Sequence, residues 1–135
     1  MIAIGTDIVD KRRIERLYQR HGTRFPRRIL TPAEMDDFER TQDSVGFLAR
    51  RFCAKEAISK VLGTGFSRGV RFIDLEIVHD GLGKPLVRLH GAAKRQAELS
   101  GLSSIELSIS DERNYAVAFA LGQAGSQAGS TSPSY

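Results

Sequence analysis

The chain has 135 residues, 41% hydrophobic and 27% charged, with a formal net charge of +4 and one cysteine. That composition is ordinary for a single globular domain with a real core, and it excludes a fibrous or wholly unfolded chain. Cys53 has no second cysteine to join, no apolar run approaches the roughly 18 residues that a membrane span needs, and the N-terminus lacks a cationic segment followed by an apolar one, so a reducing, cytoplasmic setting is expected.

Met1 to Ile8 reads as a strand, with Ile2, Ile4 and Ile8 as strand formers and Gly5 permitting a bulge or a close backbone approach. Asp7 then lies inside or at the end of an apolar strand, where an ionised carboxylate needs a metal, a cation or N–H donors; capping the next helix is the equal alternative, and Asp10 is placed for that as well. From Asp10 to about Arg20, the spacing of Ile14, Leu17 and Tyr18 predicts a short amphipathic helix ended by Gly22. Arg13, Arg16 and Arg20 share its outer face. Together with Lys11, Arg12, Arg24, Arg27 and Arg28 they form a cationic segment opposed only by Asp10 and Glu15, so an acidic partner is expected there, with a solvated helix face as the alternative. Phe25-Pro26 is expected to break any helical continuation.

Thr31-Pro32-Ala33-Glu34 is a helix start, with Thr31 as N-cap, Pro32 at the first helical position and Glu34 completing a capping box, and the helix runs to about Arg40. Val45 to Gly65 holds the central helix. Phe47, Ala54, Ala57, Ile58 and Val61 cover one side and Leu48 and Phe52 point the other way, which predicts burial nearly all round. The same helix carries Arg50, Arg51, Lys55, Glu56 and Lys60, charges that a covered helix tolerates only with partners or a bound ion. Glu56 and Lys60 stand at i, i+4, and a salt-bridged helix edge is the plainer reading of that pair. Gly63-Thr64-Gly65 ends the helix, either as a C-cap or as a loop whose amides cradle a phosphate.

Beyond it, Phe72 to His79 is expected as a strand, Asp80 to Pro85 as a hairpin turn and Leu86 to Leu89 as the returning strand. Gly91 to Leu99 reads as a helix with Ala92, Ala93, Ala97 and Leu99 inward. Ile105, Leu107 and Ile109 alternate as a half-buried strand, Ser110 to Asn114 turns, and Tyr115 to Leu121 is a last apolar strand. Residues 1–122 form the domain on this reading, and 123–135, rich in Gln, Ala, Gly and Ser, are expected to be a disordered low-complexity tail.

GTDIVD near the N-terminus, FLARRFCAKEAISKVLGTG, a GKP turn and a late LSISDERNYAVA occur in this order from residue 1 to about 121. Together they resemble the holo-[acyl-carrier-protein] synthases, the small bacterial 4'-phosphopantetheinyl transferases. The resemblance implies an α+β fold, a small antiparallel sheet packed against the long central helix. It also implies transfer of the phosphopantetheine arm of coenzyme A to a serine of apo acyl carrier protein, with release of adenosine 3',5'-bisphosphate. Asp7 and Glu56 match the family's Mg²⁺ ligands, and Lys60 matches a lysine near the phosphates. Gly63, Thr64 and Gly65 match the loop beside the nucleotide, and Ser110 is a further donor to it. Arg13 and Arg24 match positions that face the carrier protein, with Arg16, Arg20 and Arg28 expected beside them from helical spacing. The serine's proton is expected to go to Glu56 or to a metal-bound water near it. Glu106 and Asp111 stand where many members have histidines, a departure that puts an anion where a phosphate contact would be. Members are homotrimers with active sites between subunits. The rival from another class is a small basic nucleic-acid-binding module, which the sequence pI of about 9.6 favours but which leaves Asp7 and Glu56 without work.

Overall fold

The computed structural model describes residues 1–125. Of the expected tail, residues 126–135 lie outside the described residues. The last strand runs from Tyr115 to Ala124 (β5), so Gln123 and Ala124, assigned above to the tail by composition, pair with Ile2 and Leu102.

β5 is the middle of a three-stranded antiparallel sheet. On one side it pairs with β1 (Ile2–Asp10) and on the other with β4 (Leu102–Asp111). Its alternation sets the architecture: Ala116, Ala118 and Ala120 are all but fully buried, while Tyr115, Val117 and Phe119 face outward. The small inward side chains let α4 (Ser44–Leu62) lie directly across β1 and β5. Gly5 serves the same purpose on β1, because a Cβ there would collide with the Ala57 carbonyl oxygen. The expected close backbone approach is therefore real, and it is what brings Asp7 against α4.

α1 (Lys11–His21) begins with Asp10 as N-cap, its carboxylate accepting from the Arg12 amide at 2.8 Å, and ends at Gly22 with φ 57°. Asp10 rather than Asp7 is the cap, which leaves Asp7 unspent. α2 (Arg24–Ile29) corrects the expectation that Phe25-Pro26 stops helix formation. Pro26 sits in the first turn, where its missing N–H has no helical acceptor to lose. α3 (Pro32–Arg40) has the full capping box expected, Thr31 accepting from the Glu34 amide and Glu34 from the Thr31 amide.

The segment read as one strand from Phe72 divides into a 3-10 turn at Phe72–Asp74 and β2 (Leu75–His79). Buried Asp74 causes the break, its carboxylate folding back to accept from the Arg71 amide at 3.0 Å. Among the described residues β2 pairs only with β3 (Pro85–Leu89). α5 (Gly91–Leu99) buries Ala93 and Ala97, whereas Leu99, expected inward, is 84% exposed in the last turn. No helix among the described residues is long and apolar enough to cross a membrane.

Candidate active site

The inward face of β1 and the buried helix α4 meet along one seam, and the unexplained charges gather there. Asp7 projects from β1 toward α4 because its register partner is inward-facing Ala118. Lys60, in the last turn of α4, donates to the Thr6 carbonyl at 2.7 Å and lies 3.4 Å from Asp7 Oδ1. Glu56 stands one turn earlier on the same helix. Burial raises its pKa first and the Asp7 carboxylate raises it further, opposed by the charges of Lys60 and Arg13. Two carboxylates that repel each other converge here, with Lys60 beside Asp7 and the charge of Arg13 acting on Glu56. The donors are hard oxygens, which suit a small divalent cation, so the residues present fit Mg²⁺.

A cavity of about 310 Å³ reaches α4 at Phe52, one turn before Glu56, and is walled by Arg24, Phe25 and Ile29 of α2, Leu17 of α1, Phe52 and Phe72. The Arg13 guanidinium lies 5.5 Å from the centre of the Phe52 ring, and Phe52 precedes Glu56 by four residues on α4. Arg13 therefore lies over a wall residue of the cavity while its charge acts on Glu56, and Arg24 lines the cavity. Arg28 lines it as well. Of the arginine-rich segment, Arg13, Arg24 and Arg28 thus edge the cleft, while Lys11 and Arg12 pair with Asp111 and Asp10.

Other expected residues are engaged elsewhere or face away. The Gly63 amide donates to the Lys60 carbonyl at 3.1 Å and the Gly65 amide to the Ser59 carbonyl at 3.2 Å, so both are engaged in closing the helix end. Gly63 has φ 80° and Gly65 φ 56°, which explains two glycines here by backbone conformation. Ser110 is in register with Val117, which pairs in turn with Ile8, on the outward face of the sheet, opposite to Asp7. Within one chain it cannot reach the Asp7–Glu56 seam. Asp111 and Glu106 are both neutralised: Asp111 accepts from Lys11 at 2.8 Å and Arg50 at 3.2 Å, which hold its carboxyl below the usual range, and Glu106 lies 3.3 Å from Lys84.

Composition and spacing did not single out the cavity of about 250 Å³ lined by Phe47, Arg50, Arg51, His79, Gly83 and Pro85. The Nη1 atom of Arg51 is buried beside it without a hydrogen-bond partner among the described residues, and burial with the two arginines lowers the pKa of His79. Such a cavity suits an anion. Two adjacent arginines in a helix covered nearly all round were the signal that could have found it.

A family model described as the 4'-phosphopantetheinyl transferase superfamily matches residues 3–120. The chain belongs to that superfamily. Among its relatives, the holo-[acyl-carrier-protein] synthase of Halorhodospira halophila is 57% identical over 122 residues, covering 90% of this chain and 97% of that protein. The protein of the same description from Vibrio cholerae (strain ATCC 39541) is 49% identical over 118 residues, 87% of this chain and 94% of its own length. Among solved structures, the synthase of Neisseria meningitidis superposes with a TM-score of 0.86 at 44% identity over 91% of this chain and 99% of that one. The Helicobacter pylori synthase, solved in complex with coenzyme A, does so with a TM-score of 0.78 at 31% identity over 89% and 99%. The superfamily's α+β fold is the fold described above, an antiparallel sheet under one long helix.

Proposed function

We propose that Asp7, Glu56 and Lys60 form the centre at which this chain transfers the 4'-phosphopantetheine arm of coenzyme A to a serine of apo acyl carrier protein. The observation that carries the assignment is the convergence of two mutually repelling carboxylates and one lysine beside a cleft edged by arginines.

Asp7 and Glu56 would hold Mg²⁺, which when bound neutralises both carboxylates and draws electron density from the pyrophosphate. The serine oxygen attacks the phosphorus that bears the pantetheine arm, and the bond to the oxygen of adenosine 3',5'-bisphosphate breaks. Glu56 is assigned as the acceptor of the serine's proton. Lys60 is anchored by the Thr6 carbonyl with its ammonium still half exposed, so its positive charge is fixed where charge develops on the departing bisphosphate. Gly63, Thr64 and Gly65 border the nucleotide just past Lys60, where a Cβ on either glycine would meet nothing within 4 Å. Arg13 and Arg24 receive the acidic surface of the carrier, and Phe52 and Phe72 give the cleft an apolar floor for the pantetheine chain.

We further infer a homotrimer, with Ser110 contributed to the nucleotide site of a neighbouring copy. Two features support it: Ser110 faces away from its own chain's centre, and the outward sheet face exposes Ile2, Ile4, Ile8, Tyr115, Val117 and Phe119, an apolar surface that a second copy would cover. A cytoplasmic location agrees with one buried, reduced cysteine. The nucleic-acid-binding alternative has no support in the relatives, and the arginines that suggested it have a cleft to serve.

The test is the intact mass of apo acyl carrier protein after incubation with this chain, coenzyme A and Mg²⁺. The expected result is a gain of one phosphopantetheinyl group with stoichiometric adenosine 3',5'-bisphosphate. An unmodified carrier, with the chain folded and coenzyme A bound, would overturn the reading.

A further inference from the structure

Lys55 is fully buried in α4, yet none of its contacts belongs to the Asp7–Glu56–Lys60 centre. An ammonium has three hydrogens to donate, and each has its own acceptor. Lys55 Nζ lies 2.6 Å from the carbonyl of Ile29, the last residue of α2, 2.7 Å from Glu34 Oε1 in the first turn of α3, and 3.1 Å from the carbonyl of Phe72 in the 3-10 turn. Ile29 and Phe72 are also two of the residues that wall the cleft beside Glu56. The remaining capacity of Glu34 is taken by the Thr31 and Ile77 amides, with Arg51 Nε at 3.7 Å, so the carboxylate that balances Lys55 is itself fixed on several sides.

Burying a lysine is costly, and a methionine would fill much the same space without that cost. The ammonium does what a methionine cannot: it holds the carbonyl oxygens of α2 and of the 3-10 turn, two elements that line the cleft, on one cation. Without it the Ile29 carbonyl loses this partner and the Phe72 carbonyl keeps only the Leu75 amide, and the walls separate or admit water. Arg24 rides on α2, and Phe72 stacks on Phe52 with ring centres 5.5 Å apart. A shift of either wall therefore moves the surfaces that receive the carrier.

We propose that Lys55 is a positioning residue for the transfer reaction, fixing the α2 and Phe72 walls of the cleft at the separation the carrier protein and its serine require. This rests on the function assigned above. None of the three Lys55 contacts reaches Asp7, Glu56 or Lys60, so Lys55 acts on docking more than on the chemical step.

The experiment compares the parent with Lys55→Met/Glu34→Gln. The double variant removes the Lys55 ammonium together with the carboxylate that balances it, and leaves Arg51 without its carboxylate at 3.7 Å just as Glu34→Gln alone does; the introduced amide keeps an oxygen to accept from the Thr31 N–H, so the double variant's thermal midpoint should fall less than that of Glu34→Gln. With apo acyl carrier protein, coenzyme A and Mg²⁺, the KM for carrier should rise about tenfold while the KM for coenzyme A changes by less than about twofold. Amide exchange should accelerate at residues 24–30 and 71–74 and not across β1 and β5. Glu34→Gln alone removes the same ion pair but leaves Lys55 on both carbonyls; it should lower the thermal midpoint and leave the carrier KM within about twofold. Parental carrier KM and parental exchange in the double variant would overturn the proposal, as would an equal KM rise in Glu34→Gln, which would tie the loss to stability. Should the double variant not fold, Lys55→Gln, which keeps one donor group for the carbonyls, takes its place with a smaller KM rise, and no rise there overturns the proposal too. If the parent itself fails to modify the carrier, the functional reading fails, while the exchange comparison still tests what Lys55 holds.

Discussion

Lys60 and Asp7 come from opposite ends of the residue order of the site and meet 3.4 Å apart, because Gly5 lets α4 settle onto β1. The lysine is held from behind by the Thr6 carbonyl, so its charge is aimed instead of free to wander. Lys60→Ala should lower kcat by about two orders of magnitude, as removal of a fixed charge at a leaving group does, while carrier affinity changes little. Steady-state kinetics with both substrates varied checks this, and an effect confined to the carrier KM would place Lys60 elsewhere.

Gly5→Ala tests the packing that creates the seam. The added methyl meets the backbone oxygen of Ala57, which cannot rotate away, so α4 must move off β1. Overpacking of this kind costs roughly 1–3 kcal/mol. Denaturant unfolding should register that loss, and transfer activity should fall further than stability alone explains because Asp7 and Lys60 are drawn apart. A variant as stable and active as the parent would mean that the contact relaxes locally.

Arg24→Glu should raise the KM for apo carrier protein about tenfold with little change for coenzyme A, an effect that shrinks with salt because exposed charges are screened within about 10 Å at 0.1 M ionic strength. Arg13→Glu should do this and also reduce kcat, since Arg13 lies over Phe52 and its charge acts on Glu56. Thermal stability of Arg24→Glu should hardly move. Unchanged kinetics in both variants would return the cationic segment to a solvated face.

Much of this was legible in the residue order, and the parts that were not have physical causes. The Thr31–Glu34 capping box, the Gly22 stop and the all-round burial of α4 follow from local patterns, and each is present. Helix α2 was hidden because Pro26 is a breaker in mid-helix but harmless in a first turn. The 3-10 turn was hidden because Asp74 alternates correctly for a strand, and only its burial and its bond to the Arg71 amide betray the turn. Lys55 was visible as a charge in a buried helix, but its partners Ile29, Glu34 and Phe72 are distant in sequence. The same holds for Asp111, whose negative charge looks adverse in the residue order and is balanced in the fold by Lys11 and Arg50.

Cys53 offers a prediction in pH. Its thiol is buried at 0% exposure, and burial, followed by the Asp7 carboxylate, pushes its pKa from an ordinary 9.0 up to about 12. A group whose folded pKa is raised stabilises fully below its unfolded value, and that contribution is lost as pH rises toward the folded one. Native protein should therefore resist iodoacetamide at about pH 8, below the ordinary thiol range, and Cys53→Ala should flatten the decline of stability between pH 9.0 and about 12. Rapid alkylation of the folded chain would contradict the assigned burial.

The most direct test of the centre is the Mg²⁺ dependence of transfer by Asp7→Ala and Glu56→Ala, measured as the rate at which apo carrier protein gains its phosphopantetheinyl mass. Both variants should keep the parental circular dichroism, lose most of kcat, and no longer be supported in turnover by added Mg²⁺. If either retains near-parental kcat at ordinary Mg²⁺, the two carboxylates are not the metal ligands and the centre lies elsewhere.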